Sequence, residues 1–217
     1  SPEQRLEAFE AAGIDASVMI DFDTSIASIP AERFVEDILV GRLRAKLVVL
    51  GADFRFGHGG SGDAELLRSL GVRFGFDVEV VDWVRGAGEE QLSSSRIRTA
   101  ITSGDIEAAT RMLGRPPAVR GEVVHGDARG RELGFPTANL GGRIEGLIPA
   151  DGVYAGWAEV GGKRHIAAIS VGVNLTFEPD GDPRVEAFLL DYSEDIYGER
   201  IEVIFGERLR GMVRFDS

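Results

Sequence analysis

Halfway along the chain the sequence changes its period, and that break constrains the fold more than any other feature. Ahead of Gly114-Arg115-Pro116-Pro117, apolar residues recur at helical spacing between short β-rich runs. Beyond it the helical spacing disappears, and short β-rich runs alternate with Gly, Pro and Asp. One architecture does not serve both textures, so the sequence predicts two domains, residues 1–116 and 117–217. A length of 217 residues accommodates this, since domains commonly run to ~100–150 residues.

In the first half, residues 2–12 predict a helix with Pro2 in its first turn and Gly13 at its end. Residues 17–22 read as a strand, 30–43 as an amphipathic helix and 46–51 (KLVVLG) as a buried strand. Residues 63–70 then read as a helix and 77–83 as a further strand. This alternation predicts a parallel α/β sheet. Ser93, Ser94 and Ser95 stand where caps for a helix over 96–103 belong, and 104–113 predicts another short helix. A doubly wound sheet opens on a strand and a phosphate-binding turn, whereas this chain opens on a helix; the expectation is that an opening βα unit is missing. In the second half the runs 119–124, 152–160, 164–171, 185–191 and 200–205 predict a small antiparallel barrel.

Composition narrows the partners. Thirty-six acidic against 24 basic residues give a formal charge of −12, which repels polyanions and argues against nucleic acid. Small phosphorylated ligands are still admitted, because Gly-rich backbone, Arg or Mg²⁺ overrides a global field locally. No apolar run approaches the ~20 residues of a bilayer-crossing helix, so no membrane partner is expected. The chain has no Cys, which removes disulfides, thiolate metal sites and Cys nucleophiles and favours a cytoplasmic address. The three histidines, His58, His125 and His165, are isolated and lack metal-site spacing. Oligomeric state is not legible.

The chemistry-bearing stretch is residues 121–140, GEVVHGDARGRELGFPTANL. Gly121, Gly126, Gly130 and Gly134 allow tight turns whose backbone N–H groups cradle phosphate, although the same glycines also suit a plain hairpin. In an extended run, Phe135, Thr137 and Asn139 share a face. The Thr hydroxyl and Asn amide are then suited to Mg²⁺ or phosphate, or else they bond their own backbone in a turn. Glu186, inside the apolar run RVEAFLLD, either faces solvent or lines a site. Ser93, Ser94 and Ser95 with Arg98 form either a phosphate site at a helix start or a simple N-cap. The pairs Phe54 with Phe56 and Phe74 with Phe76 read as core faces, and Trp83 and Trp157 as structural.

The pattern GxxxxGxxRGRxLGFPTAN resembles the bacterial bifunctional riboflavin kinase/FMN adenylyltransferase (FAD synthetase) family. It continues into Pro149-Ala150-Asp151-Gly152-Val153-Tyr154, Ala168-Ile169-Ser170-Val171-Gly172, Arg184-Val185-Glu186-Ala187-Phe188, Ile196-Tyr197-Gly198 and the run 208–215. The run 48–57 resembles that family's flavin-bordering segment, and 92–98 its second nucleotide motif. The resemblance implies α/β plus all-β architecture: a truncated Rossmann-like nucleotidyltransferase domain, then a six-stranded Greek-key β-barrel kinase domain. It implies transfer of the γ-phosphoryl of ATP to riboflavin, giving FMN, with adenylylation of FMN to FAD when the first domain is complete. The differing alternative is a non-catalytic flavin- or nucleotide-binding module.

By the resemblance, Glu186 is the base, and Thr137 and Asn139 hold Mg²⁺. Gly121, Gly126, Gly130, Thr137, Asn139, Ser94 and Arg98 would meet nucleotide and phosphate. Phe135, Asn174, Arg208, Arg210 and Asp53 would meet the flavin. Three departures stand out. The family's HxGH-type motif is absent, Asn174-Leu175-Thr176-Phe177 replaces the usual Asn-Pro-Thr-Phe, and the sequence stops at Ser217 where the family usually continues into a helix.

Overall fold

The computed structural model describes residues 1–82, 92–126, 137–172 and 184–212. They pack as two compact units, Phe9–Gln91 and Leu92–Ser217 with Ser1–Ala8. The chain opens with helix α1 (Pro2–Ala11), followed by the short helices α2 (Thr24–Ala27) and α3 (Ala31–Phe34).

In the first unit strand β1 (Leu47–Gly51), helix α4 (Ala64–Phe74) and strand β2 (Asp77–Val81) make the expected βαβ element. The two strands are parallel, with Leu47 opposite Asp77. Parallel pairing demands a crossover, and α4 supplies it. Asp63 caps α4 by accepting the Leu66 N–H at 2.9 Å, and Gly75 ends it at φ 79°, where a side chain would be strained. The helix buries Leu67 and Leu70 against Leu50, Phe56 and Phe76. Phe56 and Phe76 are thus core residues, as their spacing predicts, whereas Phe54 is 47% exposed.

Two expectations are corrected here. Residues 17–22 form no strand, and Val18, Met19, Ile20 and Phe22 are exposed. Alternation gives a run its two faces but no neighbour for its backbone bonds, and a strand needs both. The helix expected over 30–43 does form, but α3 passes at Val35 into a π-helix running to Arg42. The Leu43 N–H accordingly reaches back five residues to the Ile38 carbonyl at 2.9 Å. Trp83 lies outside the described residues.

The second unit holds helices α5 (Ser94–Ser103) and α6 (Ile106–Leu113), capped by Ser93 and Asp105 through their side-chain oxygens. Six strands follow: β3 (Ala118–Val124), β4 (Ala138–Glu145), β5 (Gly152–Val160), β6 (Lys163–Gly172), β7 (Arg184–Leu189) and β8 (Arg200–Arg210). They close into a barrel in the order β3-β4-β7-β6-β5-β8, with every neighbouring pair antiparallel. Strands β5, β6 and β7 form a meander and β8 returns beside β5, which is a Greek key. Among the described residues, closure leaves the barrel itself without an open sheet edge.

Strict alternation of burial along β5 and β7 sends one set of side chains inward. Val119, Val123, Tyr154, Ile169, Val185, Val203 and Phe205 fill the interior, each such large side chain contributing roughly 1.5–3 kcal/mol. Tyr154 meets Phe205 edge to face at 5.3 Å. Its hydroxyl donates to the Ala150 carbonyl, so its polar tip is satisfied, and burial pushes its pKa up. Ile106 of α6 belongs to this core. Packing therefore groups α5 and α6 with the barrel, although the change of texture falls after residue 116. An apolar helix face follows whichever core accepts it.

Candidate active site

Because Val185, Ala187 and Leu189 of β7 point into the barrel, the intervening Glu186 points outward, half-buried. The same parity on β4 buries Ala138 and Leu140 and turns Asn139 outward. The register places Asn139 opposite Glu186 and Glu186 opposite Ser170. It continues with Ser170 opposite Val153 and Val153 opposite Arg210, while Val124 faces Asn139 from the other side. One transverse row, Val124-Asn139-Glu186-Ser170-Val153-Arg210, thus runs around all six strands. Neighbours in such a row have Cβ atoms about 4.5–5.5 Å apart.

Thr137, just ahead of β4, meets Asn139 directly: the carboxamide Nδ2 donates to the Thr137 carbonyl at 3.2 Å and to its Oγ1 at 3.4 Å. The local bonding expected of a turn is thus present, and it keeps the two side chains adjacent. Gly126 makes the arrangement fit. A Cβ on it would lie 2.5 Å from the Asn139 carboxamide, closer than any side chain tolerates.

The donor set suits Mg²⁺. A Thr hydroxyl and an Asn carbonyl are hard neutral oxygens, and Mg²⁺ is commonly held by one or two protein groups plus substrate phosphates. The present bond turns Nδ2 toward Thr137, so the carboxamide must rotate to offer its oxygen at the same corner. Among the described residues no cluster of three or more His, Cys, Asp or Glu forms an all-protein cation cage.

A cavity of about 320 Å³ opens beside Thr137, lined by Val123, Ala138, Leu189 and the segment from Tyr192 to Tyr197. Its volume lies in the range of small-molecule sites, ~300–1,000 Å³. Apolar and aromatic groups make much of the wall, and Glu194 and Asp195 add carboxylates. The wall is fastened by backbone: Val123 N–H donates to the Glu199 carbonyl at 2.9 Å and Gly198 N–H to the Val123 carbonyl at 2.8 Å. Tyr197 N–H donates to Asp195 Oδ1 at 3.0 Å, which shapes the turn. The Tyr192 hydroxyl is pushed up in pKa by burial, with Glu194 and Glu199 adding to it.

Other expected site residues stand apart from this corner. Gly121 lies in the middle of β3, opposite Ile201, and a Cβ there would press on Leu140 at 3.2 Å; its place is in the strand packing. Arg208 donates to the Asp151 carbonyl at 2.7 Å and to the Ser103 carbonyl at 3.4 Å, joining β5 to the end of α5. Arg210, at the far end of the row, donates to the neighbouring Gly211 carbonyl at 3.3 Å. Ser94 opens α5, and Arg98 one turn later donates to Ser95 Oγ at 3.3 Å. Asp53 follows β1 in the first unit. Gly130, Phe135 and Asn174 lie outside the described residues.

Sequence reasoning quoted Ser170 and Ile196-Tyr197-Gly198 only as parts of the resemblance, and joined neither to Glu186 nor to a cavity. Ser170 sits in an apolar run, and only the register shows that it neighbours Glu186. The wall carried a weaker signal, the acidic and aromatic run Tyr192-Ser193-Glu194-Asp195-Ile196-Tyr197.

Comparison with known proteins agrees with the fold. The barrel half, residues 113–217, matches the riboflavin kinase family model, and residues 1–96 match that of FAD synthetase. Together these define a flavin-nucleotide enzyme class. The chain is 36% identical over 99% of its length to a bifunctional riboflavin kinase/FMN adenylyltransferase of Listeria monocytogenes, spanning 68% of that protein. It is 35% identical to the Escherichia coli protein of the same description, again spanning 68% of it. The chain belongs to the bifunctional riboflavin kinase/FMN adenylyltransferase family. A solved structure described as a macrolide-efflux protein from Streptococcus pneumoniae superposes on the whole chain and 69% of its own, with a TM-score of 0.88 at 37% identity. The efflux role is said of that protein; among the described residues of this chain no helix is long and apolar enough to cross a membrane.

Proposed function

We propose that this chain phosphorylates riboflavin, moving the γ-phosphoryl of ATP to the ribityl 5′-hydroxyl and releasing FMN and ADP. The observation that carries the reading is the register of β4 on β7, which supports a carboxylate and a cation-binding corner side by side on one face. In this reading the Glu186 carboxylate accepts the hydroxyl proton while the hydroxyl oxygen bonds to the γ-phosphorus and the bond to the β,γ-bridging oxygen breaks. Thr137 and Asn139 hold the phosphate end, and Mg²⁺, when bound there, neutralises charge on the transferring group. The nucleoside occupies the cavity beside Thr137. Glu194 and Asp195 repel phosphate from its interior and so keep the triphosphate tail at the Thr137 corner.

Arg210, in the same row as Glu186, is assigned to the flavin side. The match over residues 1–96 supports FMN adenylylation as a second activity, for which the resemblance names Ser94 and Arg98 on the nucleotide side and Asp53 on the flavin side. We assign that activity to residues 1–116 and the kinase to 117–217, and place both in the cytoplasm, where free ATP is abundant. The test is direct: protein, riboflavin, ATP and Mg²⁺ are incubated, and the products separated by chromatography. FMN formation that stops on chelation supports the reading. Folded protein that binds riboflavin and yields no FMN overturns it in favour of a binding module.

A further inference from the structure

At the end of β3, Val124 pairs with Asn139, and Gly126 packs against the Asn139 carboxamide. The residue between them, His125, points elsewhere. Its imidazole lies flat on the Tyr197 ring, with centroids 3.8 Å apart and planes 10° from parallel. Tyr197 lines the cavity beside Thr137. Three consecutive residues therefore bear on both halves of the proposed nucleotide site. Val124 and Gly126 set the phosphate corner, and His125 braces the far wall.

The brace has work to do. Both rings are accessible: His125 is exposed and Tyr197 is 37% exposed. The backbone bonds to Val123 hold Gly198 and Glu199, and the Asp195 carboxylate holds the Tyr197 N–H. Backbone bonds leave the Tyr197 side chain its rotamers, and a ring covering one of its faces restricts them. An aromatic ring held in place is a stronger wall for a planar base than one that must be ordered during binding, because each ordered side chain costs binding free energy.

We infer that His125 is a positioning residue for nucleotide binding, holding Tyr197 as the fixed wall of the cavity in register with Thr137 and Asn139. The inference rests on the reading that this cavity receives the nucleoside of ATP. His125 itself touches no reacting group, so its effect falls on nucleotide affinity and leaves the chemical step and the flavin alone.

The experiment compares wild type with His125→Ala, His125→Phe, Tyr197→Ala and the His125→Ala/Tyr197→Ala double variant, each checked by thermal melt. Steady-state kinetics are measured with both substrates, and Mg·ADP titration calorimetry is run in parallel. For His125→Ala the expected result is a rise of about tenfold in KM for ATP and in Kd for Mg·ADP, with kcat and the riboflavin KM within about twofold. His125→Phe keeps a flat ring on Tyr197 and restores ATP affinity. The double variant loses no more than Tyr197→Ala alone, as expected for one shared interaction. Unchanged nucleotide affinity in His125→Ala, failure of Phe to rescue, or equal losses for both substrates overturns the inference. The calorimetry separates the two readings. Wild type that binds Mg·ADP but makes no FMN removes the kinase assignment alone, whereas tight Mg·ADP binding that survives His125→Ala removes the brace alone.

Discussion

Asn139 and Glu186 stand directly opposite one another on β4 and β7, although 46 residues separate them in the chain. Both project from the outer face of a barrel whose interior is filled by apolar side chains. In the proposed function, chemistry and folding stability occupy opposite faces of the same strands, so substitutions in this row are expected to change activity with little effect on the core.

Glu186→Gln keeps the size and hydrogen bonding of the side chain but cannot accept the hydroxyl proton. Turnover is expected to fall tenfold or more, toward the ~10²–10⁴ of general-base catalysis, with Mg·ATP and riboflavin affinities nearly unchanged. Steady-state kinetics with a thermal melt provides the measurement. A turnover within about twofold of wild type would remove Glu186 as the base and direct attention to Glu194 and Asp195.

Thr137→Ala and Asn139→Ala each remove one side of the proposed cation-binding corner. Isothermal titration is expected to show weakened Mg·ATP binding and nearly normal riboflavin binding. Equal losses for both ligands would mean that the Asn139-to-Thr137 bonds serve only to shape the start of β4.

Gly126→Ala tests the same corner from behind. The new methyl group falls 2.5 Å from the Asn139 carboxamide, so the amide must move. The kinetics are expected to copy those of Asn139→Ala, together with the ~1–3 kcal/mol typical of overpacking. Normal ATP use in this variant would show that the carboxamide position does not matter.

Much of this fold is legible in the sequence, because alternation is a local signal. The runs containing Tyr154, Ile169, Val185 and Val203 announce their inward faces one residue at a time. Register is not local: nothing near Ser170 or Arg210 reveals that either shares a row with Glu186, since the row exists only after six strands close. Residues 17–22 show the converse, a strand-like run without a paired neighbour. The π-helical turn ahead of Leu43 was equally invisible, because its hydrogen-bond register differs while its apolar spacing stays close to helical. The Thr137 and Asn139 pair is legible because both sides of its corner lie within three residues of sequence.

The resemblance puts both Arg208 and Arg210 at the flavin, and their surroundings differ. The Arg208 guanidinium donates to the carbonyls of Asp151 and Ser103, so it fastens the start of β5 to the last turn of α5. Gly104 is fitted around it, since a Cβ there would come within 2.9 Å of the Arg208 side chain. Arg208→Ala is therefore expected to cost about 1–2 kcal/mol of stability from lost charge-assisted hydrogen bonds, the lower end of the range because the group is exposed. In a unit of this size that lowers Tm by roughly 3–10 °C, while the riboflavin KM stays near wild type. Arg210 shares the row of Glu186 through Ser170 and Val153. Three strand spacings put their backbones about 14 Å apart, a span that an extended arginine and a bound flavin tail can close together. Arg210→Ala is expected to leave Tm within about 1–2 °C and to raise the riboflavin KM several-fold, with ATP affinity unchanged. The paired measurement is decisive in both directions. A riboflavin defect in Arg208→Ala with a normal melt would restore that residue to the flavin site, and an unchanged riboflavin KM in Arg210→Ala would remove it from that site.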